Sequence, residues 1–384
     1  MDLRDTPEEV AFRTEVRGWL EANIPTELTG PRSGEEAYAR AWHDWSRKLS
    51  DAGYAGLTWP KEYGGSGAPY SHQAILLEEL ARAEAPQHMG VIGLGMAGPT
   101  IIAHGTDAQK TRYLQKIMTA EEIWCQGFSE PDAGSDLAAA RTSARLEGDH
   151  FVVDGQKLWS SFAHIADWCI LVTRSDPEST KHAGMTYLLV DMHAPGVEVR
   201  PLRQITGEAE FNEIFFTAVR VPVENVVGEI GQGWAVAMTT LLHERATLGF
   251  ALTASLEVNL RKLITLARER TEGDPILRDR IAREWIELQA LRLTNYRALT
   301  QLIKTGMPGP EGSVSKLQWS EANQRLTKLA LEVLGPEAQL WNGDGAGYWQ
   351  YQQLRSRGNT IEAGTSEILR NIIAERVLGL PRSR

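Results

Sequence analysis

An α+β multidomain fold is predicted for this chain of 384 residues: a helical N-terminal domain, a middle antiparallel β-barrel or sandwich, and a C-terminal four-helix bundle. Three observations predict it. Apolar residues recur at helical spacing over roughly the first third, the period shortens to that of strands from about Glu122, and long helical periodicity returns after Trp234. These changes set domain boundaries at 1–120, 121–232 and 233–384.

The first helix starts at Thr6-Pro7-Glu8-Glu9, where a threonine cap and an early proline precede Val10, Val16, Trp19 and Leu20 on one buried face. A break containing Pro and Gly covers Ile24 to Gly34, and a second helix over about Ala37 to Ala52 stops at Gly53. Trp59-Pro60-Lys61-Glu62-Tyr63-Gly64-Gly65 is too rich in Pro and Gly to be regular and reads as a connection or a binding loop. Helical spacing resumes through Ser71, Ile75, Leu76 and Leu80, and after Pro99 through Ile101, Ile102, Tyr113, Leu114 and Ile117. Between these helices the glycine-rich run from Gly90 to Gly98 gives up side chains for close packing, the commoner reason, or to leave room for a substrate.

In the middle third, Trp168 to Val172, Met185 to Val190 and Ile214 to Val221 are apolar runs separated by Pro, Gly and Asp, as strands require. Phe151-Val152-Val153, Asp154-Gly155 and Gln156-Lys157-Leu158-Trp159 read as strand, two-residue turn, strand. That hairpin delivers Trp159-Ser160-Ser161 to one place. Upstream, Ser129-Glu130-Pro131 and Asp132-Ala133-Gly134-Ser135 form a loop whose hydroxyls and free N–H groups suit a polar ligand. An indole beside two hydroxyls suits a flat ring with apolar faces and a polar edge, such as a flavin. Taken singly, Trp159 reads as core and the loop as a surface turn.

The last third carries helices at Ala235 to Arg270, Ile276 to Lys304, Ser313 to Leu334 and Ser366 to Leu378, which read as an antiparallel bundle. On the first of them Ala237, Leu241, Glu244, Leu248 and Leu252 fall on one stripe. A carboxylate on an apolar face needs a reason. Either Arg245 or Arg270 pairs with Glu244 structurally, or Glu244 is a base whose pKa is raised by desolvation.

The formal charge of −10 argues against nucleic acid or an anionic membrane as partner, so an anionic substrate needs locally placed Arg or Lys. Cys125 and Cys169 both lie in apolar runs, which excludes a disulfide framework or a Cys-based zinc site and points to a reducing, cytoplasmic setting. The charged start Met1 to Asp5 does not look like a secretory signal, and no apolar run has membrane-spanning length.

Glu-Pro-Asp-Ala-Gly-Ser-Asp at 130–136, followed by Asp-Gly-Gln-Lys-Leu-Trp-Ser-Ser at 154–161, resembles the central signature of the acyl-CoA dehydrogenase family, and the α, β, α order extends the resemblance over essentially the whole chain. The resemblance implies an FAD-dependent oxidation of an acyl-CoA thioester to its 2,3-enoyl product. Phe128, Ser129, Gly134, Trp159 and Ser161 match family positions at the flavin, and Ser135 and Arg245 match positions near the CoA moiety. Arg245 read plainly is a helix-surface salt bridge. Arg270 matches an arginine that reaches the FAD pyrophosphate of a neighbouring subunit. Gly364-Thr365 opens the last helix towards the same anion, with Glu367 in its first turn, and Thr365 is equally a helix cap.

Most members carry the base as a Glu just before the last helix, where alignment on Gly364-Thr365 gives this chain Ala363. A minority carry it on the bundle helix within a Glu-Arg pair, and His243-Glu244-Arg245 matches that arrangement. Glu244 is therefore the expected base, with Glu362, one residue out of register, the runner-up. The resemblance also implies two donors at the thioester carbonyl, a flavin ribityl hydroxyl and the backbone N–H of Ala363. Two features depart from the family. Glu332 stands where relatives have a Gln before Gly-Gly, and an acid turned inward there would repel a pyrophosphate; the aromatic stretch Trp341 to Tyr351 is unlike compact relatives. The implied partners are an electron-transfer flavoprotein and further subunits, as a homodimer, a homotetramer or a mixed tetramer. The competing readings are a structural subunit of such a mixed assembly and an oxidase or monooxygenase on the same fold.

Overall fold

The structure, a computed structural model, describes residues 4–29, 35–271, 273–306, 309–341 and 347–382, without the side chains of 35–36 and 244–248. Contacts divide the chain into two compact units, one made of Met1–Ala41, Ala68–Pro86 and Glu244–Arg384, the other of Trp42–Gly67 and Gln87–His243. Each unit draws on more than one of the three sequence segments. Among the described residues no helix is long and apolar enough to cross a membrane.

In the first unit, helix α1 (Pro7–Asn23) opens on a capping box, Thr6 accepting from the Glu9 N–H and Glu9 accepting from the Thr6 N–H. Val16 and Leu20 form its buried face. A four-residue helix, α2 (Thr26–Thr29), occupies part of the expected break, whose residues 30–34 lie outside the described ones. Helix α3 (Glu35–Asp51) crosses into the second unit. The arginines of α1 tie it to α4 (Tyr70–Arg82): Arg13 reaches Glu78 and Glu79 at 2.8 Å each, and Arg17 reaches Glu79 at 2.9 Å.

The C-terminal elements of this unit are α7 (Gly233–Arg270) from Glu244 onward, α8 (Pro275–Thr305), α9 (Glu311–Leu334) and α10 (Tyr348–Asn359). Leu260, Leu263, Leu288, Leu291, Leu326 and Trp349 make their common core. Here the structure corrects the sequence reading, because α10 was not expected as a helix. Its run Tyr-Trp-Gln-Tyr-Gln-Gln holds few aliphatic residues and so shows little periodicity. The stretch Trp341 to Tyr351 includes the start of α10, and its residues 342–346 lie outside the described ones. The helix expected over Ser366 to Leu378 is α11 (Ser366–Ile372) continued by a π turn, Ile373–Val377.

In the second unit, α5 (Gly98–His104) and α6 (Asp107–Met118) pack on a seven-stranded sheet. Its strands are β1 (Trp124–Gly127), β2 (Ser143–Glu147), β3 (His150–Ser161), β4 (Trp168–Arg174), β5 (Met185–Asp191), β6 (Val197–Leu202) and β7 (Phe211–Pro222), in the order β1-β4-β2-β3-β7-β6 with β5 also on β4. Strand β4 is an unbroken apolar run because both its faces are covered. Ile170 and Val172 join the helical cluster while Cys169 and Leu171 join the one lined by Phe151, Val190, Ile214 and Val219. Residues from β5 round to β7 share that second core, as a half-barrel requires. The pairing is mixed, since β1 lies parallel to β4 with Trp124 beside Trp168. The long excursion through β2 and β3 between them permits the parallel return.

The expected hairpin at Asp154-Gly155 is not formed. Strand β3 runs through it unbroken, because both its halves pair with β7, and the first also with β2, rather than with each other. The Asp-Gly pair instead marks a bulge, where the Asp154 carboxylate accepts from the Ala218 N–H at 2.8 Å and Ala218 has a left-handed φ of 51°. The hairpin that does form joins β2 to β3 through Gly148-Asp149, with Gly148 at φ 65°.

The glycine run divides by position. A Cβ on Gly98 would lie 2.2 Å from the buried Trp59 ring, and one on Gly93 2.8 Å from Ile117, whereas one on Gly95 would meet nothing within 4 Å. Gly98→Ala is accordingly expected to lower stability by about 1–3 kcal/mol through overpacking, and Gly95→Ala to leave it within about 0.5 kcal/mol. Urea denaturation of the two variants beside the parent checks this, and equal losses would contradict the packing described.

Candidate active site

The site in the second unit is organised by a buried ion pair. Lys157 is fully buried on β3, and its Nζ donates to the Glu130 carboxylate at 2.7 Å and to the Phe128 carbonyl at 3.0 Å. Glu130 also accepts from the backbone N–H groups of Arg141 at 2.7 Å and Thr142 at 2.9 Å. Burial pushes the Glu130 carboxyl up, but the Lys157 charge and these N–H donors outweigh it and hold the group below its ordinary value. Burial also lowers the Lys157 pKa, an effect the Glu130 charge offsets only in part.

This pair sets neighbouring backbone in register. The Leu158 N–H donates to the Ser129 carbonyl at 2.8 Å, so Phe128 and Ser129 lie against the end of β3. Just beyond, the β3–β7 ladder slips between Lys157 and Ser160, two steps on β7 facing three on β3. Trp159 sits in that bulge with a left-handed φ of 61°, a conformation a bulky side chain adopts only when its surroundings impose it. The bulge turns the indole outward. Trp159 is 58% exposed, its ring touched edge-on by Phe211 at 6.0 Å, while Ser160 is buried. The Ser160 carbonyl is held by Asn212 Nδ2 at 3.0 Å, and its Oγ has no hydrogen-bond partner among the described residues.

The structure therefore brings Phe128, Ser129, Trp159 and Ser161 together within one unit. Gly134 and Ser135 lie on the exposed loop that follows the tight turn closed by Glu130 and Ala133. Phe128 itself is buried edge-on against Tyr187 at 6.0 Å. Lys157 and Glu130 had no assigned role in the sequence reading. The available signal was a lysine inside an otherwise apolar strand.

The remaining candidates belong to the first unit. Arg270 makes a bidentate pair with Glu337 at 2.8 Å for both contacts, and Glu332 pairs with Arg280. Thr365 caps α11, accepting from the Ile368 N–H at 3.2 Å. Glu367 stands in the first turn, its carboxyl lowered by backbone N–H and by Thr365. Ala363 has a left-handed φ of 51°, and its N–H donates to no acceptor among the described residues. Glu362 is engaged by Arg355 at 2.9 Å and by Asn359 Nδ2 at 2.8 Å. Glu244 and Arg245 lie on the α7 backbone, and their side chains are outside the described residues.

Known proteins resemble the chain along its length. Models of the acyl-CoA dehydrogenase N-terminal, middle and C-terminal domains match residues 6–121, 125–219 and 231–378. Acyl-CoA dehydrogenase IpdE1 of Mycobacterium tuberculosis is 44% identical over 386 residues, covering 97% of each chain. Among solved structures, the Tcur3481-Tcur3483 steroid ACAD superposes with a TM-score of 0.89 at 30% identity, covering 100% of both chains. The ChsE4-ChsE5 complex from Mycobacterium tuberculosis gives 0.88 at 31%, again over 100% of both.

Removing one member of the buried pair leaves the other charge uncompensated, so Glu130→Ala is expected to lower stability by about 3–5 kcal/mol. Because the Glu130 carboxyl is lowered on folding, its contribution is present above the unfolded value of about 4.3 and is lost as pH falls through the folded one. Urea midpoints of the parent and Glu130→Gln should therefore differ most near neutrality and converge on acidification below about pH 4. A pH-independent gap would contradict a charged pair.

Proposed function

The chain belongs to the acyl-CoA dehydrogenase family of oxidoreductases acting on acyl-CoA, and on that premise we propose that it converts an acyl-CoA to the 2,3-enoyl-CoA with Glu244 as base and FAD as cofactor. The observation that carries this is the outward indole of Trp159, forced into a left-handed bulge beside the Phe128-Ser129 segment. Such an exposed face next to a hydroxyl at Ser161 fits a flat heteroaromatic ring. Phe128, Ser129, Gly134, Trp159 and Ser161 would hold the ring, while Arg270, Thr365 and Glu367 would reach the FAD pyrophosphate of a neighbouring subunit. FAD, when bound, supplies the acceptor for the hydride leaving the β-carbon.

The chain's own groups do the rest. The Ala363 N–H, without an acceptor among the described residues, would be one of the two donors to the thioester carbonyl that make the α-proton acidic enough for a carboxylate to take. Glu244 is preferred as base because Glu362, the other acid considered, is tied to Arg355 and Asn359. Ser135 and Arg245 are assigned to the CoA arm. The steroid ACAD among the similar structures favours a bulky, ring-bearing acyl group. An electron-transfer flavoprotein would take the electrons.

A second reading, one subunit of a two-component assembly, draws support from the ChsE4-ChsE5 complex among the similar structures. It differs from a homomer in what the purified chain does alone. A yellow, oligomeric product with a flavin spectrum supports the homomeric enzyme, and a colourless monomer contradicts it.

A panel of straight-chain, branched and ring-bearing acyl-CoAs, assayed with an artificial acceptor, tests the chemistry. Glu244→Gln should cost at least about 10²-fold in turnover, as loss of a general base does, while Glu362→Gln keeps activity within a few-fold. The reverse pattern would overturn the base assignment. Peroxide formed on adding substrate in air would indicate an oxidase instead.

A further inference from the structure

A second buried lysine, in the first unit, meets the loop that carries Ala363. Lys316 on α9 is 5% exposed, and its Nζ donates to the Asn359 carbonyl at 2.7 Å and the Gly364 carbonyl at 2.8 Å. The first of these is among the carbonyls that α10 leaves unpaired at its C-terminus, where a cation is favoured by the helix dipole. The second follows directly on Ala363. One ammonium thus clamps both ends of the segment between them.

Other ties hold the start of that segment, Glu362 being engaged by Arg355 and Asn359 and the Thr360 hydroxyl accepting from Gln324 at 3.1 Å, but none of these reaches Ala363 or Gly364. Ala363 and Gly364 both have left-handed backbones, φ 51° and 99°, and alanine adopts that region at a cost of about 1–2 kcal/mol. Inside the loop, the Ser366 N–H reaches the Thr360 carbonyl at 3.0 Å and the Glu362 N–H reaches Gly358 at 3.0 Å. Asn359 is further held by Asn323 at 2.8 Å. The N–H groups of Ala363, Gly364 and Thr365 reach no protein acceptor among the described residues, and that of Ala363 is the one assigned above to the thioester carbonyl. A charge buried at this cost is retained where it satisfies groups an apolar side chain would strand.

We propose that Lys316 is a positioning residue for acyl-CoA oxidation, holding the Ala363 N–H at the angle and depth from which it donates to the thioester carbonyl. This rests on the assignment of that N–H made above. Lys316 Nζ is committed to two main-chain carbonyls, so its effect is on enolate stabilisation rather than on ligand capture. A structural lysine would lower thermal stability without changing the acidity of a bound thioester.

The test uses the full chain loaded with FAD in its native assembly and acetoacetyl-CoA, a thioester with an acidic α-proton, as probe. Enolate absorbance is followed against pH. The parent should lower the probe's pKa relative to free probe, Lys316→Met should raise it again by about one unit, a tenfold smaller enolate population at a given pH, and Lys316→Arg should restore most of the shift by donating to both carbonyls. Melting temperatures are recorded in parallel. A Lys316→Met protein that melts earlier yet acidifies the probe like the parent overturns the proposal. A parent that leaves the probe's acidity unchanged overturns the Ala363 assignment instead. If Lys316→Met does not fold, Lys316→Gln, which loses the charge but keeps a donor, is judged by the same criterion.

Discussion

The ion pair of Glu130 and Lys157, closed off from water, is the constraint on which the second unit's candidate-site loops depend. Taking the two charges out of water costs several kcal/mol each, and their attraction alone does not guarantee a net gain. What tips the balance is how many other groups they serve. Between them they satisfy the Phe128 carbonyl and the N–H groups of Arg141 and Thr142. An apolar pair of the same volume would strand three backbone groups, at about 1–3 kcal/mol each. The pair thereby ties the β1 exit, the 130–142 loop and the middle of β3 into one rigid body.

That rigidity is what allows the bulge at Trp159. A left-handed tryptophan costs about 1–3 kcal/mol and would relax if the flanking ladder could slide. It cannot, because Lys157 is anchored on one side and the Ser160 carbonyl is held by Asn212 on the other. An ordinary alternating strand would present the faces of β3 in strict alternation. The inserted step instead lets Lys157 and Ser160 both be buried with an exposed indole between them.

Much of this architecture was legible in the sequence, and the failures have identifiable causes. The Thr6 cap of α1, the Gly53 stop after α3 and the apolar run of β4 are local signals, and each formed as the residues indicate. Asp154-Gly155 misled because a turn dipeptide specifies a hairpin only when its flanks pair with each other, and pairing partners here are distant in sequence. The parallel β1–β4 contact is non-local in the same way. Lys157 and Lys316 were missed for a related reason. A lysine's burial is decided by acceptors contributed from elsewhere, Glu130 for one and the 359–364 carbonyls for the other, which spacing along the chain does not reveal.

Both lysines act on backbone carbonyls, and the proposed chemistry makes different demands on a base and on a backbone donor. A carboxylate needs only to reach one proton from one side, and several positions on a helix or loop offer that reach. A main-chain N–H is aimed by the dihedrals on both sides of it, so moving it means rebuilding the loop and its anchors. In this chain the 359–364 loop keeps a left-handed Ala363 and its lysine clamp, although the residue at 363 has no acid to offer. A left-handed backbone at a residue whose side chain is only a methyl group is accounted for if, as proposed, the N–H is what the loop presents.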